Sequence, residues 1–379
     1  MATFNLAIGT GHTHFEISDP CFLSALQPKA ISAQTSPQSI ALQALENPVA
    51  SEQFDVIFKD TKNLAIVVPD KTRNSGASLF LPILLGRIRD LGVLESKVRI
   101  ILANGTHVGH SAEQIERIVG SEIAQRIQVI DHDCHDTDSL TRLGETKSGT
   151  PIFINRNILE ADKVLVAGTA IHHYFAGFGG GPKMLNPGCA GYETISKNHA
   201  LTIDPQSGWL HPGCRSGEID SNPVQIDIAD SLRFIPAHFL FETILSDSAQ
   251  IVAAFAGNLM AAHRRACEMV DALYKVRITE KADLVIVSCG GYPKDINFIQ
   301  AHKSLHNAFY AVKEGGVILA LAECREGVGS QTFLEWFDCK DDELFRENLR
   351  RNYKVNGTTA LALKMKTRSV KIVFVSSLP

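Results

Sequence analysis

His172-His173-Tyr174-Phe175-Ala176-Gly177-Phe178-Gly179-Gly180-Gly181-Pro182-Lys183-Met184-Leu185-Asn186-Pro187-Gly188 comes shortly after the apolar run Asp162-Lys163-Val164-Leu165-Val166-Ala167-Gly168. The apolar run reads as a strand covered on both faces. The glycines therefore fall in the loop at a strand's carboxyl end, where open α/β sheets bind ligands. Two adjacent imidazoles, a glycine run that lets backbone approach a ligand, one lysine between Pro182 and Met184, and Asn198-His199 downstream make a combination that an ordinary core segment does not need.

Upstream, the same design recurs. Asn63-Leu64-Ala65-Ile66-Val67-Val68-Pro69 is an unbroken apolar strand leading into Asp70-Lys71-Thr72-Arg73, with a helix from near Gly76. Arg73 at that exit is either a planar fork for a carboxylate or phosphate or a solvated arginine. Lys97 to Ala103 is a strand, then Asn104-Gly105-Thr106-His107, then a helix from about Ser111 to Gly120. Gln128 to Asp131 opens into His132-Asp133-Cys134-His135-Asp136. Its composition suggests metal ligands, but the loose spacing and mixed ligand types favour a solvated polar loop. Ile152 to Asn155 is a short strand. At the amino terminus Ala2 to Gly9 reads as a strand that Gly11-His12-Thr13-His14 continues in alternation, with His12 and His14 on one surface face. Ser36 to Asn47 reads as a helix.

Downstream, Tyr192 to Ala200 is predicted helical, with His199 facing back towards the loop. Asp204 to Asn222 shows no clear period and suits a lid or wall. Helices at Pro223 to Leu232 and Met260 to Tyr274 bracket strands at Phe239 to Leu245 and Gln250 to Phe255. The pattern then resets with the buried strand Ala282 to Ser288, so a second domain is placed near residue 275. It contains a helix from Ser304 to Lys313, a strand from Gly316 to Ala322, helices at Phe333 to Phe337 and Asp341 to Tyr353, and a strand from Lys371 to Val375. Gln300 and Lys303 share a face if their stretch is helical. The predicted class is α/β: two α/β domains, 1–274 and 275–379, with mostly parallel sheets flanked by helices.

Composition narrows the function classes. At 379 residues the chain exceeds what one core usually serves. Its net charge of -4 offers no attraction to nucleic acid or membrane, so a small-molecule ligand is favoured. The eight cysteines include no Cys-x-x-Cys pair, which points to reduced intracellular thiols. No basic segment with a following apolar run opens the chain, and no stretch of about 18 apolar residues occurs. A soluble, cytoplasmic protein is the expectation. A nicotinamide-dependent dehydrogenase is disfavoured because no Gly-x-Gly-x-x-Gly closes the first strand with an acidic residue about twenty further on.

Five blocks in order, Asp70-Lys71-Thr72-Arg73, Gly105-Thr106-His107, His173 to Lys183, Asn198-His199 and Gly290 to Lys303, resemble lactate racemase and its nickel-pincer-nucleotide relatives, and they span nearly the whole chain. The resemblance implies a racemase or epimerase of a 2-hydroxy acid. Its cofactor would be a pyridinium mononucleotide whose two thiocarbonyl arms hold nickel. Lys183 would carry the cofactor covalently through a thioamide, and His199 would be the protein's nickel ligand; soft sulfur with one imidazole suits a tetragonal nickel. Asp70, Thr72, Gly179, Gly180 and Gly181 would belong to the cofactor-binding set, with the phosphate near the glycine amides.

By the same resemblance His107 and His173 become two general bases flanking the reacting carbon. One removes the hydroxyl proton while the α-hydrogen leaves as hydride; the planar 2-keto acid then receives it back on the other face. Arg73 and Lys303, assisted by Gln300, would hold the carboxylate, and Phe175 would form a pocket wall. These groups are drawn from both predicted domains, which implies an active site in the interdomain cleft, with closure gating entry. Spacing to Lys183 in the family favours His173 over His172 as the base, leaving His172 as a paired group or a pocket wall. The implied partners are a 2-hydroxy acid and cofactor-maturation enzymes, with an oligomer open. Two departures stand out. Ile299 is aliphatic where lactate racemase has an aromatic, which points away from lactate itself, and the chain stops at Pro379 where family members continue. The competing reading is a homologue that binds the cofactor without racemising; the pair His107 and His173 argues against it, since a carrier needs no paired bases.

Overall fold

A computed structural model describes residues 1–29, 31 and 33–378 of the chain. Two compact units emerge from its contacts. One comprises Lys29–Thr202 and Pro212–Lys275, the other Met1–Pro28, Ile203–His211 and the chain from Val276 onward.

The first unit is built on a six-stranded sheet in the order Ile251–Gly257, Phe239–Leu245, Lys163–Thr169, Leu64–Pro69, Val98–Ala103, Gln128–Asp131. All neighbours are parallel except the edge pair Phe239–Leu245 and Ile251–Gly257. Leu64–Pro69 is buried at every position, which is why its sequence is continuously apolar instead of alternating. Leu64, Ile66 and Val68 share one face with Ile100, Leu102, Phe239 and Phe241. Onto that face the helices Pro37–Glu46 and Ala77–Asp90 lay Ala41, Leu45, Phe80 and Leu84. Phe54, Phe58 and Phe239 close the core with centroids 4.5, 5.3 and 6.0 Å apart. Helix Leu259–Tyr274 covers the opposite face, packing Ala266, Cys267 and Val270 with Ile244.

Strand order fixes where a ligand can sit. From Leu64–Pro69 the chain steps outward through Val98–Ala103 to Gln128–Asp131, then returns to lay Lys163–Thr169 on the other flank of Leu64–Pro69. The order reverses between those two strands, and the crevice at their carboxyl ends is the switch point at which such sheets bind ligands.

In the second unit three parallel strands, Ala282–Ser288, Val312–Leu321 and Lys371–Val375, pair in that order. Ala2–Ile8 and Gly11–Ile17 form an antiparallel hairpin in place of the continuing strand expected from alternation. The chain reverses because Gly9 takes a φ of 52°. Its N–H donates to Asp295 at 2.7 Å and its carbonyl accepts from the Tyr292 N–H at 2.7 Å. His12 and His14 lie exposed on one face of the hairpin. Helix Phe298–Ala311 starts well before Ser304, because the Asn297 side chain caps it by accepting the Gln300 N–H at 3.0 Å. Helix Gly357–Ser369 had no counterpart in the sequence reading. Among the described residues no helix is long and apolar enough to cross a membrane.

Candidate active site

The exit of strand Leu64–Pro69 places Asp70 in the interior, 2% exposed. One carboxylate oxygen accepts from the Thr72 hydroxyl at 2.7 Å and the Thr72 N–H at 3.2 Å; the other meets His107 Nδ1 at 2.6 Å. Burial alone would raise the carboxyl pKa, but the hydrogen bond and charge of His107 and the charge of Arg73 outweigh it and bring it down to about 2. An ionised Asp70 only accepts, so His107 carries its proton on Nδ1, and in the neutral ring Nε2 keeps a lone pair. Arg73 donates from Nη1 to the Thr72 hydroxyl and carbonyl, both at 3.1 Å.

Sequence reasoning missed the brace behind this pair. The buried ring of His110 contacts Asp131 through Nδ1 at 2.8 Å and accepts the Lys71 N–H on Nε2 at 3.1 Å. Asp131 also accepts the His110 N–H at 2.6 Å. Three adjacent strand exits are thereby tied together. The signal was a histidine three residues beyond His107 and an aspartate closing the next strand, neither distinctive without the sheet order.

The organising loop forms a small hairpin, Ile171–His173 with Gly177–Gly179. Strand alternation sends the two imidazoles to opposite sides. His172 Nε2 meets Asp271 at 2.7 Å and its ring packs on Phe178, so His172 is a paired group. The Ala176 N–H donates to His173 Nδ1 at 3.2 Å, which in the neutral ring puts the proton on Nε2. The two histidines singled out by the sequence thus present opposite faces, His107 a lone pair and His173 an N–H.

Phe175, 5% exposed, gathers the rest. Its ring centroid lies 4.5 Å from that of His173, 5.0 Å from that of His199 and 5.7 Å from Lys183 Nζ. Lys183 sits in the single turn Gly181–Met184. Burial, then the charge of Arg73, pushes its amine down to about 7. His199 ends helix Tyr192–Ala200, which Asn198 anchors by donating to Val224 O at 3.2 Å and Asp227 at 2.9 Å. Burial, then the Lys183 charge, pushes the His199 imidazole down to about 3. An amine partly unprotonated near neutrality is a competent nucleophile, and an imidazole held neutral is a competent metal ligand. The donor set therefore fits a covalently tethered group that carries a metal. The Gly105 N–H donates to the Gly188 carbonyl at 2.9 Å, joining the His107 loop to the end of the Lys183 loop.

Gln300 and Lys303 stand in the other unit on one face of helix Phe298–Ala311, with Lys303 Nζ donating to Gln300 Oε1 at 2.6 Å. Ile299 precedes them on the same helix. The loop read as solvated polar is not uniformly so. His132 is 2% exposed, accepts from Asn155 Nδ2 at 3.0 Å and donates from Nε2 to Ala190 O at 3.0 Å. Its acceptors and donors are supplied by distant segments that the sequence pattern could not bring near. Among the described residues no group of three His, Cys, Asp or Glu is arranged to hold a metal ion.

Comparisons with known proteins identify the family. The family model of the lactate racemase N-terminal domain matches residues 8–209, and that of the lactate racemase C-terminal domain matches residues 278–363. The lactate racemase of Thermoanaerobacterium thermosaccharolyticum is 32% identical over 346 residues, covering 90% of this chain and 80% of its own. That of Lactiplantibacillus plantarum is 32% identical over 298 residues, covering 79% and 69%. The solved lactate racemase apoprotein from Thermoanaerobacterium thermosaccharolyticum superposes with a TM-score of 0.90 at 30% identity, over 99% of this chain and 88% of that one. The chain belongs to the lactate racemase family, whose named members are isomerases.

Proposed function

We propose that this chain interconverts the two configurations at C2 of a small 2-hydroxy acid, using a nickel-pincer nucleotide tethered to Lys183 with His199 as its protein ligand. The observation that carries the reading is the gathering of His173, Lys183 and His199 around the Phe175 ring, with the Asp70–His107 pair formed across two neighbouring strand exits. When bound, the nucleotide supplies an acceptor for the α-hydrogen as hydride.

The remaining tasks fall to the chain. His107 Nε2 takes the hydroxyl proton, and the imidazolium that results is steadied by the Asp70 carboxylate on Nδ1. His173 serves the substrate of opposite configuration. Its neutral ring offers an N–H at Nε2, so acting as a proton acceptor requires it to release the Ala176 amide from Nδ1. Arg73 offers a planar fork to the substrate carboxylate, with Lys303 and Gln300 completing its hold. Of the amides in the glycine run, that of Gly181 is already given to Glu242 at 2.7 Å, so a nucleotide phosphate would draw on Gly179 and Gly180. The aliphatic Ile299 beside Gln300 shapes the space for the acid's side chain, and the substrate range extends beyond lactate to malate, aryl and sugar acids. Cofactor-maturation enzymes are the required partners, and a cytoplasmic setting suits them.

Chain produced together with the maturation enzymes is offered each configuration of lactate, malate, an aryl acid and a sugar acid, with products resolved by chiral chromatography. At least one acid racemises, and His107→Asn and His173→Asn each abolish it. Adduct-bearing, nickel-loaded chain that leaves every acid unchanged would instead favour a cofactor carrier.

A further inference from the structure

Glu242 is a buried carboxylate in the middle of a strand whose other residues, Thr243 apart, are apolar. On Phe239–Leu245 it shares its face with Leu240 and Ile244, and it is 0% exposed. A carboxylate so placed is costly unless its oxygens are engaged. Oε2 meets His263 Nδ1 at 2.8 Å, and Oε1 accepts the Gly181 N–H at 2.7 Å. His263, itself 4% exposed on helix Leu259–Tyr274, reaches Cys267 Sγ through Nε2 at 3.4 Å. Glu242, His263 and Cys267 stand outside the set proposed for catalysis and cofactor binding.

The glycine run is cut to fit this pair. A Cβ on Gly180, where φ is +90°, would lie 2.0 Å from Glu242 Oε1, and one on Gly181, where φ is +48°, would lie 2.4 Å from His263 Cγ. Gly181 opens the turn Gly181–Met184, in which the Lys183 N–H donates to Gly180 O at 3.1 Å and Lys183 O accepts the Gly188 N–H at 3.0 Å. The Lys183 backbone is thus fixed on both sides, and on the Gly180–Gly181 side by residues that abut Glu242 and His263.

We propose that the buried Glu242–His263 pair is the seat that aims Lys183, Glu242 acting as a positioning residue through the Gly181 amide. The proposal deepens the reading of Lys183 as the attachment point and rests on it only for the cofactor arm of the test. What the seat requires at Glu242 is an acceptor for the Gly181 N–H, so Glu242→Gln keeps it and Glu242→Leu removes it.

Full-length chain made without maturation enzymes is pulsed with limiting acetic anhydride, and acetylation of Lys183 relative to the exposed Lys197 is read by peptide mass spectrometry. In Glu242→Leu the ratio departs from wild type by about tenfold, while in Glu242→Gln it stays within about twofold. Made with the maturation enzymes, Glu242→Leu loses the covalent adduct and Glu242→Gln retains it. A folded Glu242→Leu chain with the wild-type ratio overturns the proposal, as does loss of the ratio in folded Glu242→Gln. Should Glu242→Leu fail to fold, Gly181→Ala carries the same test, because its methyl meets the His263 ring; a wild-type ratio there also overturns it. A wild-type chain with no adduct counts against the cofactor reading alone, since the acetylation arm needs no cofactor.

Discussion

Asp70→Asn separates the orientation of His107 from the rest of the site. The side chain is buried, and the oxygen facing Thr72 already accepts from both the hydroxyl and the N–H of that residue. An asparagine keeps its oxygen on that side, which turns its NH2 towards His107 Nδ1. His107 must then accept at Nδ1 and carry its proton on Nε2, so the lone pair that takes the substrate proton is lost. The carboxylate that steadies the imidazolium is lost with it. The same change behind the histidine of a serine protease triad costs about 10⁴ in kcat, or about 5 kcal/mol at 1.36 kcal/mol per tenfold. The assay is polarimetry of racemisation by adduct-bearing protein, with adduct mass checked in each preparation. We expect kcat to fall by about 10³ to 10⁴ with KM within a few-fold, because neither oxygen of Asp70 is left for substrate. Adduct-bearing Asp70→Asn with kcat within about tenfold of wild type would refute the tautomer argument.

Other consequences follow from the same contacts. The Asp70 pKa is lowered from 3.8 to about 2 on folding, so its ionised form contributes about 2 kcal/mol that is fully present above pH 4 and is lost as pH falls through about 2; Asp70→Asn flattens this part of the stability profile measured by urea unfolding between pH 2 and 5. Phe239→Ala removes a fully buried ring packed on Phe54 and Phe58 and costs about 3–5 kcal/mol by denaturant unfolding. His172→Ala breaks the pair with Asp271 and the packing on Phe178 and leaves kcat within about threefold, and a loss as large as that of His173→Asn would reassign the base.

How much of this was legible in the residues depends on sequence separation. Leu64–Pro69 and Lys163–Thr169 declared themselves as continuous apolar runs, because strands buried on both faces have no polar side to alternate with. Their exits, together with that of Val98–Ala103, then located Arg73, His107, His173 and Lys183 in loops of one sheet edge. What keeps those residues in place was not legible. Asp70 and His107 are 37 positions apart, and nothing local marks them as a pair. The glycine run suggested close approach of a ligand, yet two of its members make room for Glu242 and His263, which come from later elements. Helix Gly357–Ser369 escaped notice because it begins after Asn356 in a left-handed conformation with no side-chain cap, and its polar and apolar residues are mixed. The hairpin at Gly9 was read as one strand because alternation is the same on both sides of a tight turn.

The most direct test of the central claim is intact mass with nickel analysis of three proteins made alongside the maturation enzymes. Wild type should carry the mass of one nucleotide adduct with about one equivalent of nickel, Lys183→Ala neither, and His199→Ala the adduct with nickel much reduced. An adduct of undiminished mass on Lys183→Ala would contradict the account.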